Sequence, residues 1–157
     1  MIDPAEIRPA DWRDFRGVLH LERVCFAQDA WPWVDILGAL TFPETVRLKA
    51  VLEEKVVGFV LGDRRRREGL GWIASIGVHP ERQRRGIGRA LLAVAEDQLG
   101  MPCVRLTLRK SNQPALQMYL QTGYRQVDTW PRYYLDGEEG LVMEKLRGEP
   151  GSPHAST

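Results

Sequence analysis

Hydrophobic positions along the chain repeat with two different periods, and together they predict a domain that mixes strands and helices. Alternating or short continuous apolar stretches predict strands at residues 6–8, 46–53, 56–61, 72–78, 104–108, 124–127 and 141–145. Apolar residues at helical spacing predict helices at residues 11–26, 87–99 and 112–121, and a short further helix within residues 27–43. This order indicates an α/β (α+β) fold with a mixed central sheet of about six or seven strands and about four helices.

Turn and cap signals refine this outline. Asp11 is expected to cap the first helix, whose apolar positions are Trp12, Phe15, Leu19 and Val24. Residues 54–55 predict a tight hairpin, whereas the strand–helix–strand unit at residues 72–108 requires a parallel crossover. We expect residues 1–147 to form one domain and residues 148–157, which are polar and rich in Gly, Pro and Ser, to form a disordered tail.

Composition narrows the class of protein. The 157 residues suit one domain, and 43% hydrophobic and 27% charged residues are typical of a soluble globular protein. A net charge of +1 gives no support for a nucleic-acid partner. No apolar run reaches the roughly 18 residues that span a bilayer, and the N-terminus lacks the basic region of a signal peptide. Cys25 and Cys103 have no zinc-binding spacing, so we expect two free thiols, no metal, no membrane association and a cytoplasmic location.

The sharpest motif is a glycine-containing loop between a strand and a helix. It consists of Gln83, Arg84, Arg85, Gly86, Ile87, Gly88 and Arg89. Glycine permits close approach of a ligand to the backbone, and the N–H groups at a helix N-terminus bind phosphate, so the loop predicts a ligand that carries a diphosphate. Neither a third Rossmann glycine nor a P-loop G-K-[ST] follows. The alternative is an ordinary strand-to-helix turn with solvated arginines.

Two segments resemble a known enzyme family. Residues 83–88 resemble the acetyl-CoA signature Q/R-x-x-G-x-G/A of the GNAT family of N-acetyltransferases. The segment with Arg109, Asn112, Ala115 and Tyr119 is similar to the family pattern V-R-x-x-N-x-x-A-x-x-x-Y. Residues 133–139, which begin Tyr-Tyr-Leu-Asp-Gly-Glu, resemble the substrate-side loop of protein N-terminal acetyltransferases, including the ribosomal-protein-alanine type. The resemblance implies a single acetyltransferase domain that uses acetyl-CoA.

The resemblance also implies the residues of a cofactor site. The phosphates of acetyl-CoA would contact the loop from Gln83 to Arg89, and the pantetheine arm would pair with the backbone of Ile76, Gly77 and Val78 like an added strand. Gly77 is expected to mark a bulge that splays the sheet, and the Val78 N–H to bind the oxyanion. Asn112 either contacts the pantetheine or caps a helix. Tyr119 occupies the general-acid position of the family, and the alternative is that it is a core residue of its helix.

The general base is the point where this chain departs from the family pattern. A Glu or His often stands two residues before the motif arginine in these enzymes, but here the position is Thr107. Asp29 is the first candidate, because related enzymes carry an acidic residue near this place in the first substrate loop. Glu44, His79 and Glu81 are weaker candidates, and a water relay is a further possibility.

Aromatic residues in the two predicted substrate loops suggest where the acceptor binds. Trp31, Trp33, Trp130, Tyr133 and Tyr134 either form the walls of a peptide slot or fold onto the core. An α-amino group with a pKa of ~8 costs about 3.4 kcal/mol less to deprotonate than lysine, which favours an α-amino acceptor at a site without an obvious strong base. The basic run at residues 64–67 is either a solvated hairpin end or a docking patch for the ribosome or RNA.

We therefore predict an acetyltransferase that acts on the α-amino group of a protein or peptide N-terminus, as a monomer or homodimer. One alternative is the same reaction on a small amine such as a polyamine, an amino acid or an aminoglycoside. A second alternative is a CoA-binding sensor without catalytic activity.

Overall fold

Strict alternation of burial along the strands shows which residues build the sheet. In β2 (Thr45–Leu52) and β5 (Cys103–Arg109) every second side chain is buried and the others are partly exposed. The computed structural model describes residues 5–148. The tail predicted at residues 148–157 lies outside the described residues except for Gly148, and residues 1–4 lie outside them as well.

Seven strands form one mixed sheet in the order β1-β2-β3-β4-β5-β7-β6. The remaining strands are β1 (Glu6–Pro9), β3 (Lys55–Arg65), β4 (Leu70–Val78), β6 (Arg125–Trp130) and β7 (Gly140–Leu146). The helices are α1 (Phe15–Phe26), α2 (Trp33–Thr41), α3 (Ile87–Leu99) and α4 (Gln113–Gln121). Neighbouring strands pair antiparallel except β4 and β5, which α3 connects by the parallel crossover that the sequence predicts. The predicted fold class, strand number and helix number are confirmed.

Helices cover both faces of this sheet, and successive residues of β3 show how. Val60 belongs to the hydrophobic cluster beneath α3, together with Leu91 and Leu106. Phe59 and Leu61 point to the opposite face and pack in a second cluster with α1 and α2. The central strands are therefore buried on both sides, and the site described below lies where these strands separate.

Several predicted boundaries and faces are wrong in ways that strand pairing and capping explain. Strand β3 continues to Arg65, because its ladder with β4 extends to the pair Arg65 and Leu70. Helix α1 begins at Phe15, since Asp11 caps a preceding 3-10 turn through the N–H of Arg13 at 2.8 Å. Its buried face is Val18, Leu21 and Glu22, whereas Trp12 and Val24 are exposed. Strand β6 starts one residue later than predicted and reaches Trp130, because it pairs with β7 as far as Gly140.

The parallel strands β4 and β5 pair over only half of their length. The ladder joins residues 70–73 to residues 103–106 and then stops. Beyond Ile73, no strand within residues 5–148 pairs with β4 on the side of β5. The opening exposes the backbone edge from Ala74 to Val78 between the two strands.

The bulge in β4 lies at Ala74, because Leu61 of β3 faces Ser75 while Gly62 faces Ile73. The prediction that Gly77 marks the bulge is therefore wrong. A Cβ on Gly77 would stand 3.0 Å from the Phe59 ring and 3.1 Å from Cys25 Sγ. The absence of a side chain at Gly77 thus allows α1 to pack closely against the sheet.

The basic run at residues 64–67 is largely engaged by neighbouring groups. Arg64 donates to the Gln98 carbonyl at 2.9 Å, and Arg66 pairs with Glu44 at 2.9 Å. Arg65 lies over the Trp72 ring and near Asp63. These contacts favour the hairpin-end interpretation. Among the described residues, no helix combines the length and the apolar character needed to cross a membrane.

Candidate active site

Two adjoining cavities occupy the opening between β4 and β5. The first measures about 650 Å³ and lies among the end of β4, the loop after it, the first turn of α3, and α4. The second measures about 680 Å³ and lies among the end of α1, the α1–α2 loop, β5 and the β6–β7 loop. Tyr119, Ile76 and Asn112 line both cavities. Both volumes fall in the range of roughly 300–1,000 Å³ that is typical of ligand sites.

The first cavity ends at the N-terminus of α3. Gly86 precedes this helix with φ +82°, a left-handed conformation that glycine adopts without strain. The N–H groups of the first helical turn have no partner within the helix and are available to an anion. Arg82, Arg84 and Arg89 add positive charge to the lining, which also contains Gln83, Ile87 and Gly88. The predicted Arg85 is exposed in the same loop but does not line the cavity.

The wall between the α3 N-terminus and Tyr119 is the open edge of β4. Ile76, Gly77 and Val78 line the first cavity along this edge. The Val78 carbonyl already accepts hydrogen bonds from Gln83 Nε2 at 3.0 Å and from the Cys25 thiol at 3.3 Å. A free strand edge that leads to a basic helix N-terminus fits an amide-rich chain ending in phosphates, which is the chemistry of CoA.

Tyr119 stands at the junction of the two cavities and is only 5% exposed. Its ring packs edge-on against Tyr124, with ring centroids 5.6 Å apart. Burial raises the pKa of the Tyr119 hydroxyl well above its ordinary value, so this group stays protonated. Tyr119 is thus a core residue that also faces the site. Asn112 caps α4 by accepting from the Ala115 N–H at 3.3 Å, which is the second of the two roles predicted for it.

Arg109, the last residue of β5, connects the two loops around the second cavity. Its guanidinium donates two hydrogen bonds to Asp29 in the α1–α2 loop, at 2.6 and 2.8 Å. It also donates to Asp136 at 2.8 Å and to Glu138 at 2.9 Å in the β6–β7 loop, and it stacks on Tyr134 at 4.4 Å. These contacts with Arg109 lower the pKa of Asp136, and contacts with Ser111 and Arg109 lower that of Glu138. We call this group (Arg109, Asp29, Asp136 and Glu138) the loop clasp.

The loop clasp bears on the prediction that Asp29 is the general base. Both carboxylate oxygens of Asp29 accept from a guanidinium, and the side chain is 19% exposed. Because Arg109 holds both carboxylate oxygens, the geometry favours a positioning role for Asp29. Of the weaker candidates, Glu44 pairs with Arg66 and His79 Nδ1 accepts from the Glu81 N–H. None of these three lines the second cavity.

Three of the predicted aromatic residues line the second cavity, namely Trp31, Tyr133 and Tyr134. Trp33 does not, because it is the first residue of α2 and is 57% exposed. Trp130 also lies outside the lining, at the end of β6, where it stacks on Trp72 with ring centroids 6.0 Å apart. Trp130 thereby supports Tyr133, whose ring centroid is 5.3 Å away.

Three polar residues that line the second cavity were not predicted from the sequence as lining residues. They are Glu22, Ser75 and Thr107. Glu22 is 1% exposed, and it accepts from the Ser75 hydroxyl at 2.8 Å and from the Trp31 N–H at 3.2 Å. Burial raises the pKa of the Glu22 carboxyl. The position of Glu22 four residues after Val18, on the apolar face of α1, is a signal that could have revealed it. Within the described residues, no group of His, Cys, Asp and Glu forms a candidate metal site.

The comparisons with known proteins agree with this architecture. The model of the acetyltransferase (GNAT) family matches residues 6–124. The uncharacterized N-acetyltransferase of Methanocaldococcus jannaschii is 32% identical over 151 residues, which cover 94% of this chain and 95% of that protein. The ribosomal-protein-S18-alanine N-acetyltransferase of Escherichia coli has a TM-score of 0.84 at 22% identity, covering 98% and 99% of the two chains. Ard1 of Thermoplasma volcanium has a TM-score of 0.82 at 24% identity, covering 94% and 100%.

The two solved structures show a shared fold, whereas the family match and the archaeal relative show descent. Residues of the free strand edge and of the glycine loop line the first cavity together with Tyr119. The chain belongs to the GNAT acetyltransferase family and is an acyltransferase that uses acetyl-CoA.

Proposed function

We propose that this enzyme transfers the acetyl group of acetyl-CoA to the α-amino group of a protein or peptide N-terminus. The observation that carries the proposal is the meeting of two different cavities at Tyr119. One has the basic helix N-terminus and free strand edge that suit CoA, and the other has carboxylates and aromatic walls that suit an ammonium group on a peptide. Acetyl-CoA, when bound, supplies an acetyl thioester at this junction.

The residues of the first cavity hold the cofactor in this proposal. The N–H groups of Ile87, Gly88 and Arg89 and the side chains of Arg82 and Arg84 bind its phosphates. The backbone of Ile76, Gly77 and Val78 pairs with its pantetheine amides. Gln83 acts indirectly, because its side chain fixes the Val78 carbonyl at 3.0 Å. Asn112 contributes by capping α4 and so fixing the helix that carries Tyr119.

Tyr119 is the hydrogen-bond donor to the departing sulfur. A thiol has a pKa of ~8.5 and tyrosine one of ~10, and burial raises the tyrosine value further, so complete proton transfer to the thiolate is uphill. A hydroxyl that keeps its proton nevertheless stabilises a thiolate through a charge-assisted hydrogen bond in a water-poor site. Tyr119 thereby supports the leaving group at the point where the two cavities meet.

The second cavity favours an α-amino acceptor at the end of an extended chain. Trp31, Tyr133 and Tyr134 provide amphipathic walls, and the loop clasp holds these walls in place from both sides. Asp29 serves as a positioning residue for the α1–α2 loop. Deprotonation of an α-ammonium group also requires a weaker proton acceptor than deprotonation of a lysine side chain, because the lysine pKa is about 2.4 units higher.

The proposal is tested with purified protein, acetyl-CoA and a panel of acceptors, with CoA release followed by absorbance and products identified by mass spectrometry. The panel contains peptides that begin with Ala, Ser or Met, polyamines and an aminoglycoside. A matched control carries the same peptide sequence with a blocked α-amine and an internal lysine. We expect acetylation of the free peptides and none of the blocked peptide.

Three outcomes contradict the proposal. Turnover of small amines alone identifies a small-molecule acetyltransferase. Acetylation of the blocked peptide identifies a lysine acetyltransferase. Tight binding of CoA without turnover of any acceptor identifies a CoA sensor.

A further inference from the structure

Glu22 is a buried carboxylate with no cationic partner among residues 5–148. Three glutamates are buried in the described part of the chain, namely Glu22, Glu96 and Glu144. Glu96 pairs with Lys145 at 3.1 Å, and Glu144 pairs with Arg105 at 2.7 Å. None of the ion pairs among residues 5–148 includes Glu22. Burying a carboxylate without a countercharge costs free energy, and such groups concentrate at functional sites.

The groups that face Glu22 leave it free to accept a proton. Ser75 of β4 and the Trp31 N–H of the α1–α2 loop donate to its two oxygens, and the Cys25 thiol lies on the same helix. The charged side chains that line the same cavity are Asp29 and Arg109, which neutralise each other in the loop clasp. The Tyr119 and Tyr134 phenols, also in this lining, both have pKa values raised by burial and stay neutral.

We propose that Glu22 is the final acceptor of the proton that the acceptor amine loses, and that the Ser75 hydroxyl carries this proton to it. The inference rests on the proposed function. An N–H bond of the ammonium breaks as its proton moves to Ser75 Oγ, and the Ser75 proton moves to Glu22 Oε2. Ser75 ends unchanged, Glu22 becomes a neutral acid, and the amine keeps the electron pair that attacks the thioester. Solvent takes the proton from Glu22 after the product leaves.

The position of Ser75 explains how a carboxylate that is 1% exposed reaches the substrate. Ser75 is 7% exposed and precedes Ile76, which lines both cavities. Ser75 also lines the second cavity itself, and its hydroxyl donates a 2.8 Å hydrogen bond to Glu22. A carboxyl with a raised pKa is also a better match for an amine of pKa ~8 than an ordinary glutamate of ~4.3.

The discriminating variant is Glu22→Gln, because glutamine keeps an oxygen for the Trp31 N–H but takes no proton. The matched control is Glu144→Gln, which alters another buried carboxylate that lines neither cavity. We expect kcat/KM at pH ~7 to fall about 10²-fold in Glu22→Gln, within the range of general-base catalysis. We expect the wild-type pH profile to contain an ionisation below the pKa of the amine, and we expect this ionisation to disappear in Glu22→Gln but to remain in Glu144→Gln.

We expect the loss of kcat/KM in Glu22→Gln relative to wild type to become smaller at high pH, where the amine deprotonates in solution. An unchanged profile shape in Glu22→Gln, with a uniform loss or no loss of rate, overturns the proposal. If Glu22→Gln fails to fold, Ser75→Ala is measured in the same way, and a wild-type profile there overturns the relay. These measurements use whichever amine the wild-type enzyme acetylates, so rejection of peptides refutes the proposed function without deciding the role of Glu22.

If the wild-type enzyme acetylates no amine, an NMR titration of 13C-labelled glutamate still tests whether Glu22 holds a proton more strongly than an ordinary glutamate. The Glu22 resonance is assigned by its absence in Glu22→Gln. Ionisation at or below the ordinary glutamate value overturns the proposal, and a raised value supports it.

Discussion

Replacement of Arg109 by methionine tests whether the loop clasp builds the acceptor site. Methionine keeps an unbranched apolar side chain but removes all four hydrogen bonds to Asp29, Asp136 and Glu138. Both side chains of the Arg109–Asp29 pair are less than one-fifth exposed, at 18% and 19%, so solvent screens this pair only in part. The other two carboxylates are more exposed, so solvent screens their bonds to Arg109 more strongly.

The magnitude follows from the paired hydrogen bonds to Asp29. At roughly 1.5 kcal/mol for each hydrogen bond between charged groups, the lower end of the usual range, these two bonds amount to about 3 kcal/mol. Each ~1.4 kcal/mol changes an equilibrium constant ten-fold. The fraction of molecules in which Arg109 or its replacement holds both loops in place therefore falls by up to about a hundred-fold. We expect KM for the peptide acceptor to rise toward this limit, while KM for acetyl-CoA stays within about two-fold, because Arg109 does not line the first cavity.

The assay is steady-state kinetics with each substrate varied in turn, at low and at high salt. Arg105→Met is the matched control, because Arg105 lies on the same face of β5 and pairs with Glu144 at 2.7 Å, yet lines neither cavity. A parallel rise of both KM values, an unchanged KM for the peptide, or the same effect in Arg105→Met refutes the reasoning.

Three further predictions concern single side chains of the site. Tyr119→Phe is expected to lower kcat about 10²-fold with little change in Tm, and an unchanged kcat in steady-state assays removes the hydroxyl from the mechanism. Burial raises the pKa of Glu22 in the folded state above the unfolded pKa of ~4.3. The free energy of unfolding is therefore highest below pH ~4.3 and decreases as the pH rises through the folded pKa. Glu22→Gln should therefore gain Tm over wild type as the pH rises above about 4.3, and a difference independent of pH contradicts this. Burial raises the pKa of the Cys25 thiol to about 11, so its alkylation at pH ~8, measured by mass spectrometry, should be slow. Cys25 lines the first cavity, so added CoA should slow the alkylation further, and equal rates with and without CoA place CoA elsewhere.

Sequence periodicity predicted the fold because local patterns and tertiary pairing agree over most of this chain. The strands at residues 46–53 and 104–108 alternate cleanly, and Gly100 ends α3 in a left-handed conformation, as a C-terminal glycine signals. The ends of β3 and β6 were wrong because ladder partners, not intrinsic preference, extend those strands to Arg65 and Trp130. The same limit explains Gly77, since only the register between β3 and β4 shows that the bulge falls at Ala74.

The cofactor side of the site was more predictable than the acceptor side. The loop from Gln83 to Arg89 is contiguous, so its chemistry can be recognised in one stretch of sequence. The loop clasp brings together Asp29, Arg109 and Glu138, which come from three segments far apart in the chain. No local pattern shows that Arg109 engages both oxygens of Asp29, and this contact is the one that favours a positioning role for Asp29.

The partners of each carboxylate around the second cavity then indicate which one can accept a proton. Arg109 holds Asp29 at both carboxylate oxygens, and it also donates one hydrogen bond each to the loop residues Asp136 and Glu138. Glu22 takes the opposite course, because its neighbours donate hydrogen bonds without bringing positive charge, and desolvation raises its pKa. Arg109 thus holds the walls of the second cavity through its three carboxylate partners, whereas Glu22 in the same lining receives no positive charge from the groups that contact it. If Glu22 accepts the proton, as we propose, a proton acceptor on α1 takes the place of the Glu or His that related enzymes often carry at the position of Thr107.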